Sequence, residues 1–466
     1  MLYYIKSMLQ KIPPQIMDIV EIFQKNNYEI YLVGGCVRDL LIDKKVTDWD
    51  MTTNATPSEM LSLFPDAFYN NEFGTVGVPL NLPESEHPGV VEVTTFRTEA
   101  NYTDKRRPDN VVWGKTIEDD LERRDFTINA MACAIERGSK KQEARIIDPY
   151  NGQMDLKNKL IRAVGDPNLR FGEDALRLMR AIRFATQLGF IIEEQTLNAI
   201  HSNAKYLSHI AHERIKTEFL KILASEFPYE GIMLLRNTGL LESIMPELME
   251  GIGVSQARPG RHHLDDVFTH NVMSLKFCPS IDPVVRFAAL IHDIGKPRVR
   301  GQDEQGLVIF YNHEVAGSRI AYEICERLRF SKKERQKVVT LIRWHMFSVD
   351  EHITDSAVRR FIRRIGVENV KDMMDLRIGD RLGGGTQTAE SWRLKLFKQR
   401  VEEQLAPAPF SVNDLVIDGN DIMKELNIPP SRKIGELLRK LFEEVDEDLS
   451  KNTKEYLISR IKSFDI

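Results

Sequence analysis

The feature that most constrains this chain is a change of periodicity near Asp155. Before it, short β-rich runs alternate with helix-like segments; after it, apolar residues recur at helical spacing with few strand signals. Tyr28-Glu29-Ile30-Tyr31-Leu32-Val33 is an apolar run ended by Gly34-Gly35, and a short amphipathic segment follows over 37–42. Asp48-Trp49-Asp50-Met51 and Val90-Val91-Glu92-Val93-Thr94 read as further strands. Residues 1–155 therefore predict an α/β (α+β) head with a small mixed sheet. Leu176, Met179, Ile182, Arg183 and Thr186 share one helical segment, and Ile215, Phe219 and Leu223 another. Turns are expected at Gly189, Gly239 and Gly366. At 466 residues the chain is too long for one core. The expected organisation is the head, an all-α neck and body over 156–255, a further domain over 256–385 and a helical tail over 386–466, with the Gly- and Pro-bearing stretch 251–261 as a boundary.

Composition is that of a soluble globular protein, 42% hydrophobic and 29% charged. A net charge of −5 excludes a uniformly basic nucleic-acid binder but leaves room for local basic tracks. Cys36, Cys133, Cys278 and Cys325 are scattered without metal-ligand spacing, which predicts a reducing, cytoplasmic compartment. The first 17 residues, broken by Lys6, Lys11 and Pro13-Pro14, predict neither a signal peptide nor an anchor. No run approaches a membrane span, so no membrane partner is expected.

The local chemistry begins at Gly34-Gly35-Cys36-Val37-Arg38-Asp39. A Gly-Gly between strand and helix lets backbone N–H groups approach a phosphate, although alone it is an ordinary turn. Asp48 and Asp50, two apart on a strand, share a face. Two carboxylates that close repel unless a divalent cation lies between them, and oxygen-only ligation suits Mg²⁺. Glu92 supplies a third carboxylate in a Val-rich run, where an acid is otherwise costly. Three such groups can hold two metals for in-line phosphoryl transfer, one activating a hydroxyl and one steadying pyrophosphate.

These residues carry a resemblance. Leu32-Val33-Gly34-Gly35-Cys36-Val37-Arg38-Asp39 with Asp48-Trp49-Asp50 resembles the metal motif of class II (bacterial-type) tRNA nucleotidyltransferases and their sister poly(A) polymerases. Val91-Glu92-Val93-Thr94-Thr95-Phe96-Arg97, Arg123-Arg124-Asp125-Phe126-Thr127-Ile128-Asn129-Ala130 and Glu173-Asp174-Ala175-Leu176-Arg177 match in the family's order. The resemblance implies a tRNA partner, CTP and ATP as substrates, and Arg124, Asp125 and Asn129 as holders of ribose and triphosphate. It also assigns base selection to Asp174 and Arg177, three apart in a helical segment. That assignment is chemically sensible. Cytosine and adenine both present an amine donor beside a ring-nitrogen acceptor, which a carboxylate and a guanidinium read together, and a wrong base leaves polar groups unpaired. The bland reading is an intrahelical ion pair. Arg170, Arg177, Arg180 and Arg183 form a basic group beside the head, expected to serve nucleotide and acceptor-end binding. The stretch 97–113, with Lys105-Arg106-Arg107-Pro108, matches the loop of members that add the terminal A.

His270, His292-Asp293 and Asp380, on separate helices, resemble the HD metal-dependent phosphohydrolases. Imidazole and carboxylate suit a divalent transition metal or Mg²⁺. His313 and His345 follow the same pattern as ligands of a second metal or partners of a substrate phosphate, while His262 and His263 are unassigned. The resemblance implies hydrolysis of phosphomonoesters or 2′,3′-cyclic phosphates. A second basic group, Arg359-Arg360 and Arg363-Arg364, is a solvated face or a tRNA contact. Addition of the terminal A alone, poly(A) synthesis, and a phosphohydrolase with an RNA-binding head stay open as alternatives.

Overall fold

The structure, a computed structural model, describes residues 8–69, 74–80, 89–100, 110–137, 142–257, 266–405 and 411–464. The segment Lys105 to Pro108 and His262 and His263 lie outside these residues. The chain divides into two compact units, Met1–Met249 with Arg327–Arg329, and Glu250–Glu326 with Phe330–Ile466.

The first unit opens with nine strands: β1 Ile30–Val33, β2 Asp50–Thr53, β3 Phe68–Tyr69, β4 Thr75–Leu80, β5 Gly89–Thr95, β6 Arg97–Ala100, β7 Asn110–Trp113, β8 Ala132–Arg137 and β9 Gln142–Ile147. Seven form one sheet in the order β3-β4-β5-β2-β1-β8-β9, and β6 pairs with β7 separately. The β2–β5 pair is parallel and the other neighbours are antiparallel, so the sheet is mixed, as expected. The parallel register sets Asp50 opposite Glu92, on strands about 4.8 Å apart.

Two local expectations need correction. β2 begins at Asp50, so Asp48 precedes the strand rather than lying on it. Asp48 is exposed and Trp49 buried, so the alternation starts two residues before the hydrogen-bonded ladder does. Glu92 is not a costly acid in a buried run either. Val91 and Val93 are buried while Val90 and Glu92 point outward, the period-two alternation of a half-covered strand.

After the sheet the unit is helical. Leu176–Leu188 buries Leu176, Met179, Ile182, Arg183 and Thr186 and stops at Gly189 in the left-handed region (φ 66°). His212–Leu223 buries Ile215, Phe219 and Leu223. Gly239 and Gly366 also have positive φ at helix ends, the conformation glycine adopts without a Cβ clash. The chain does make two further strand pairs, Leu160–Ile161 with Ile191–Ile192 and Gly301–Gln302 with Val308–Ile309. Each is two residues long, too short to leave a periodic signal.

The second unit is built on helices whose ends carry histidine. Val267–Phe277 is capped by Asp266, which accepts from the Thr269 N–H at 2.7 Å, and carries His270. Pro283–Ile291, almost wholly buried, runs out at His292. Lys332–Trp344 starts with a Ser331–Glu334 capping box and runs out at His345. Val370–Gly383 carries Asp380. It lies against Val267–Phe277 through small residues: a Cβ on Gly379 would sit 2.5 Å from the Ser274 carbonyl oxygen. In the tail, buried Asp446 on Arg432–Glu447 accepts from Arg359 Nε at 2.9 Å and Arg363 Nη2 at 2.5 Å, both on Asp355–Ile365. Arg360 and Arg364 are left exposed on that helix. Helical spacing thus splits the four arginines, two inward and two outward.

Gly379→Ala should force this helix pair apart, at a cost of about 1–3 kcal/mol. The expected result is a lower denaturation midpoint for the unit that holds Asp380; an unchanged midpoint rejects the close approach.

Candidate active sites of the two units

In the first unit the strand-to-helix turn makes the opening. Gly34 has φ 73°, and a Cβ there would lie 2.7 Å from Arg124 Nη1 and 3.8 Å from Asp50 Oδ2. Glycine is required on both counts. The helix Gly35–Leu41 then starts with its N-terminus at the cleft. Gly34, Gly35, Arg38, Asp48, Asp50, Arg124, Asp125, Asn129, Asp174, Arg177 and Arg180 all line one cleft of about 1250 Å³. Eleven of its lining residues are Lys or Arg and six are Asp or Glu, so an acidic chain has a cleft that attracts phosphate.

Glu92 is not in that cleft. It lines an adjoining cavity of about 280 Å³ with Thr75 and Thr94, and Asp50, Arg97 and Arg124 line both. Among the described residues, Asp48, Asp50 and Glu92 do not bring three oxygens within 4.8 Å of one another. Arg124, tied to Asp120 at 3.0 Å, adds positive charge near the Asp50 carboxylate. Burial raises the Asp50 carboxyl, Arg124 opposes it, and Glu92 and Asp48 add to the rise, so that the carboxyl stands at about 6. An acid so poised gains from a cation partner, which is the property a divalent-ion ligand at this position requires.

The cleft arginines are held by a continuous chain of bonds. Arg38 donates through Nε to Asp39 Oδ1 (2.8 Å) and through Nη1 to Asn129 Oδ1 (2.8 Å). Asn129 donates to Asp125 Oδ1 (3.1 Å), and Arg180 Nε to Asp125 Oδ2 (2.7 Å). Burial alone would raise the Asp125 carboxyl, but the Arg180 charge and the bonds from Asn129 and Arg180 hold it at about 2. Arg38, Arg180 and Arg183 lie 5.2, 5.3 and 4.3 Å from the Phe184 ring centroid. Arg170 does not join the cleft: it pairs with Glu173 at 3.0 Å.

Asp174 and Arg177 do not share a helix. Pro167–Glu173 ends at Asp174, whose backbone is extended, and the next helix begins at Leu176. They make no ion pair with each other. Asp174 Oδ2 accepts from Arg214 at 3.1 Å, and Arg177 donates to Glu173 (2.5 Å) and to the Arg170 and Arg123 carbonyls (3.0 and 2.9 Å). The intrahelical pair is thereby excluded. Both side chains still face the cleft, each fixed by a third party.

Sequence reasoning passed over Asp120, fully buried, which accepts from Arg123 Nη2 at 2.6 Å and Arg124 Nη2 at 3.0 Å. Its spacing to those arginines on one helical turn was the available signal. It also passed over Arg214, which no local pattern connects to Asp174.

In the second unit His270, His292, Asp293, His313, His345 and Asp380 converge. His270 Nε2 lies 3.2 Å from His292 Nε2 and 3.3 Å from both Asp293 Oδ2 and Asp380 Oδ1. His313 Nε2 lies 3.3 Å from His345 Nε2 and 3.2 Å from Asp293 Oδ1. The Nδ1 atoms of His292, His313 and His345 face the carbonyl oxygens of Ala289, Phe310 and Ile342 at 2.7–2.9 Å. A carbonyl can only accept, so each Nδ1 carries the proton and each Nε2 presents a lone pair inward. Facing lone pairs repel, and a cation between them removes the repulsion. His270-His292-Asp293 and Asp293-His313-His345 are each compact enough for one ion, and each Asp293 oxygen belongs to one group. The residues therefore fit divalent metal. Lys296, unnoticed in the sequence, donates to Asp293 Oδ2 at 2.5 Å.

A small mixed sheet with an arginine-lined cleft, followed by helical modules and a histidine–aspartate cluster, defines the class: a polymerase-type head followed by a helical domain with a candidate metal site. Family models match in that order: the Poly A polymerase head domain over residues 30–162, the probable RNA and SrmB-binding site of polymerase A over 189–252, and the HD domain over 273–382. The A-adding tRNA nucleotidyltransferase of Deinococcus radiodurans is 34% identical over 430 residues, 88% of this chain and 90% of that one. The CCA-adding enzyme of Geobacillus sp. (strain WCH70) is 45% identical over 226 residues, 48% of this chain, so the chain spans about half, 52%, of that relative's length. The crystal structure of the Bacillus stearothermophilus CCA-adding enzyme in complex with CTP superposes with a TM-score of 0.69 at 25% identity, covering 96% of both chains. The chain belongs to the tRNA nucleotidyltransferase/poly(A) polymerase family and carries an HD domain. Among the described residues, no helix is long and apolar enough to cross a membrane.

The Asp125 bonds carry a pH signature. Its folded pKa, about 2, lies below its ordinary 3.8, so its contribution is fully present above about pH 4 and is lost as pH falls toward 2. That contribution is of the order of 2 kcal/mol. Asp125→Asn should flatten the fall of the urea midpoint between pH 5 and 3; an unchanged slope rejects the assignment.

Proposed function

We propose that the chain is a tRNA nucleotidyltransferase that completes the CCA end, and that its HD domain is a phosphohydrolase. The observation that carries the first reading is the cleft of about 1250 Å³ in which a Gly34 turn, the acid Asp50 and eleven basic side chains face one another. In the reaction the tRNA 3′-hydroxyl attacks the α-phosphate of CTP, twice, and then of ATP, and pyrophosphate leaves. Divalent cations, Mg²⁺ by the oxygen ligands present, would supply charge stabilisation for this in-line transfer. Asp48 and Asp50 would hold them, and Glu92, in register with Asp50 on the neighbouring strand, would take up the hydroxyl proton. Gly34, Gly35 and Arg38 receive phosphate, and Arg124, Asp125, Asn129 and Arg180 position triphosphate and ribose. Asp174 and Arg177 select the base, each braced from outside the pair so that it offers a fixed acceptor or donor.

In this reading the head is 1–155, the neck and body 156–255, the HD domain 256–385 and the tail 386–466. A cytoplasmic location accompanies it, since all four cysteines are free and buried. A second reading, addition of the terminal A alone, is supported by the Deinococcus relative, whose likeness runs through most of the chain. Transcripts ending before CCA, before the last A, or lacking a tRNA fold separate these two readings from poly(A) synthesis. Expected are three additions to the first and one to the second. Asp48→Ala or Asp50→Ala should reduce incorporation by a factor of 100 or more, a loss of about 3 kcal/mol or more. Asp174→Ala or Arg177→Ala should admit UTP and GTP. Full incorporation by Asp50→Ala would sink the metal assignment.

For the HD domain, His270, His292, Asp293 and Asp380 would hold one ion, and Asp293, His313 and His345 a second. Such ions, transition metal or Mg²⁺, supply Lewis acidity toward water and a phosphoryl oxygen. Metal analysis of the full chain should find two more ions per molecule than in Asp293→Ala and one more than in His313→Ala. His292→Ala should abolish phosphate release and spare nucleotide addition; joint loss of both activities in a folded variant contradicts independent sites.

A further inference from the structure

Beside the HD cluster lies a second cavity, of about 330 Å³, that none of the roles above uses. Its walls include Glu314, Arg343, Trp344, Phe347 and Arg364. Three features give it a chemistry. First, it adjoins the cluster through the chain itself. Glu314 follows His313, Trp344 precedes His345, and Arg377 donates to Asp380 Oδ2 at 3.0 Å while lying 5.5 Å from the Phe347 ring centroid. Second, it presents a partly exposed indole, with the Arg343 and Arg364 guanidinium carbons 4.5 and 4.8 Å from the Trp344 ring centroid. Indole and guanidinium planes are the surfaces on which unpaired bases stack. Third, Arg360 and Arg364 are exposed one helical turn apart on Asp355–Ile365, whereas Arg359 and Arg363 are tied to Asp446. The outward pair continues a cationic track away from the cavity.

We propose that this cavity is the nucleoside subsite of the HD cluster, taking the last base of an RNA strand whose terminal ribose carries a phosphate. The volume is at the lower end for small-ligand sites and admits one nucleoside, not a duplex. The base lies against Trp344, the terminal phosphate points to the histidine–aspartate cluster, and the preceding phosphates meet Arg364 and Arg360. The proposal rests on the phosphohydrolase reading for its purpose, but binding can be measured without it.

Calorimetric titration of the full chain in chelator, with a four-nucleotide RNA ending in a 3′-phosphate, gives the first readout. Trp344→Ala and Arg364→Glu should each weaken binding about tenfold or more, while the affinity for CTP stays within twofold. Adenosine 3′-monophosphate should bind more weakly than the strand, and inorganic phosphate should not distinguish variants from the parent chain. Arg364 is exposed, so Arg364→Glu carries the test if Trp344→Ala fails to fold. Unchanged strand affinity in Arg364→Glu and in folded Trp344→Ala overturns the subsite, and equal affinity for mononucleotide and strand overturns the strand as its ligand. The second readout is phosphate release with metal added. A rise in KM for the 3′-phosphorylated strand with turnover of glycerol phosphate unchanged supports the subsite. If the parent chain releases no phosphate yet Trp344→Ala still loses the strand, the hydrolytic reading fails and the subsite stands.

Discussion

Buried guanidinium groups must be met by carboxylates, and the head is arranged around that requirement. Removing charge from water costs several kcal/mol per ion unless a partner and further hydrogen bonds replace the hydration. Asp125 answers it at the junction of three elements. It bonds Asn129, which bonds Arg38 on the helix after β1, and it bonds Arg180 on the first long helix after the sheet. Asp120 does the same for Arg123 and Arg124. These two acids place four arginines around one space without letting them collapse onto Asp50, and the cleft keeps its basic balance because they face away from it or are already committed.

The second unit solves the opposite problem, how to keep neutral imidazoles aimed inward. Backbone carbonyls do this work: Ala289, Phe310 and Ile342 each fix the proton on Nδ1, so every Nε2 is available to a cation. Two of these histidines, His292 and His345, stand where a helix ends, which frees carbonyls in the last turn to accept. The close helix crossing at Gly379 brings Asp380 to the same point. The two sites thus use different means, ion pairs in one and helix ends in the other, to hold their polar side chains in place.

The Gly34 turn, the strand at 30–33 and the glycine stops at 189, 239 and 366 were all legible, because each is a local pattern of periodicity and backbone conformation. Errors arose where a local rule was extended past its element. Asp48 was placed on a strand that begins at Asp50, Glu92 was given a burial that alternation denies it, and Asp174 was given a helix that stops before it. The Arg360 and Arg364 pair was hidden among four consecutive-looking arginines until Asp446 claimed the other two.

By itself the sequence determined most strand and helix segments and which side chains can bind metal or phosphate, since these follow from residue type and short-range spacing, while the order of head and HD modules came from the family resemblance that those motifs carry. Only tertiary structure decided partners: Arg214 with Asp174, Asp125 with Arg180, and Asp293 between two histidine pairs. The first two contacts join residues 40 and 55 positions apart, and Asp293 meets His270, His313 and His345 across 23, 20 and 52 positions, at distances set by how helices and sheet pack. No local pattern along the chain encodes which of many arginines reaches a given carboxylate.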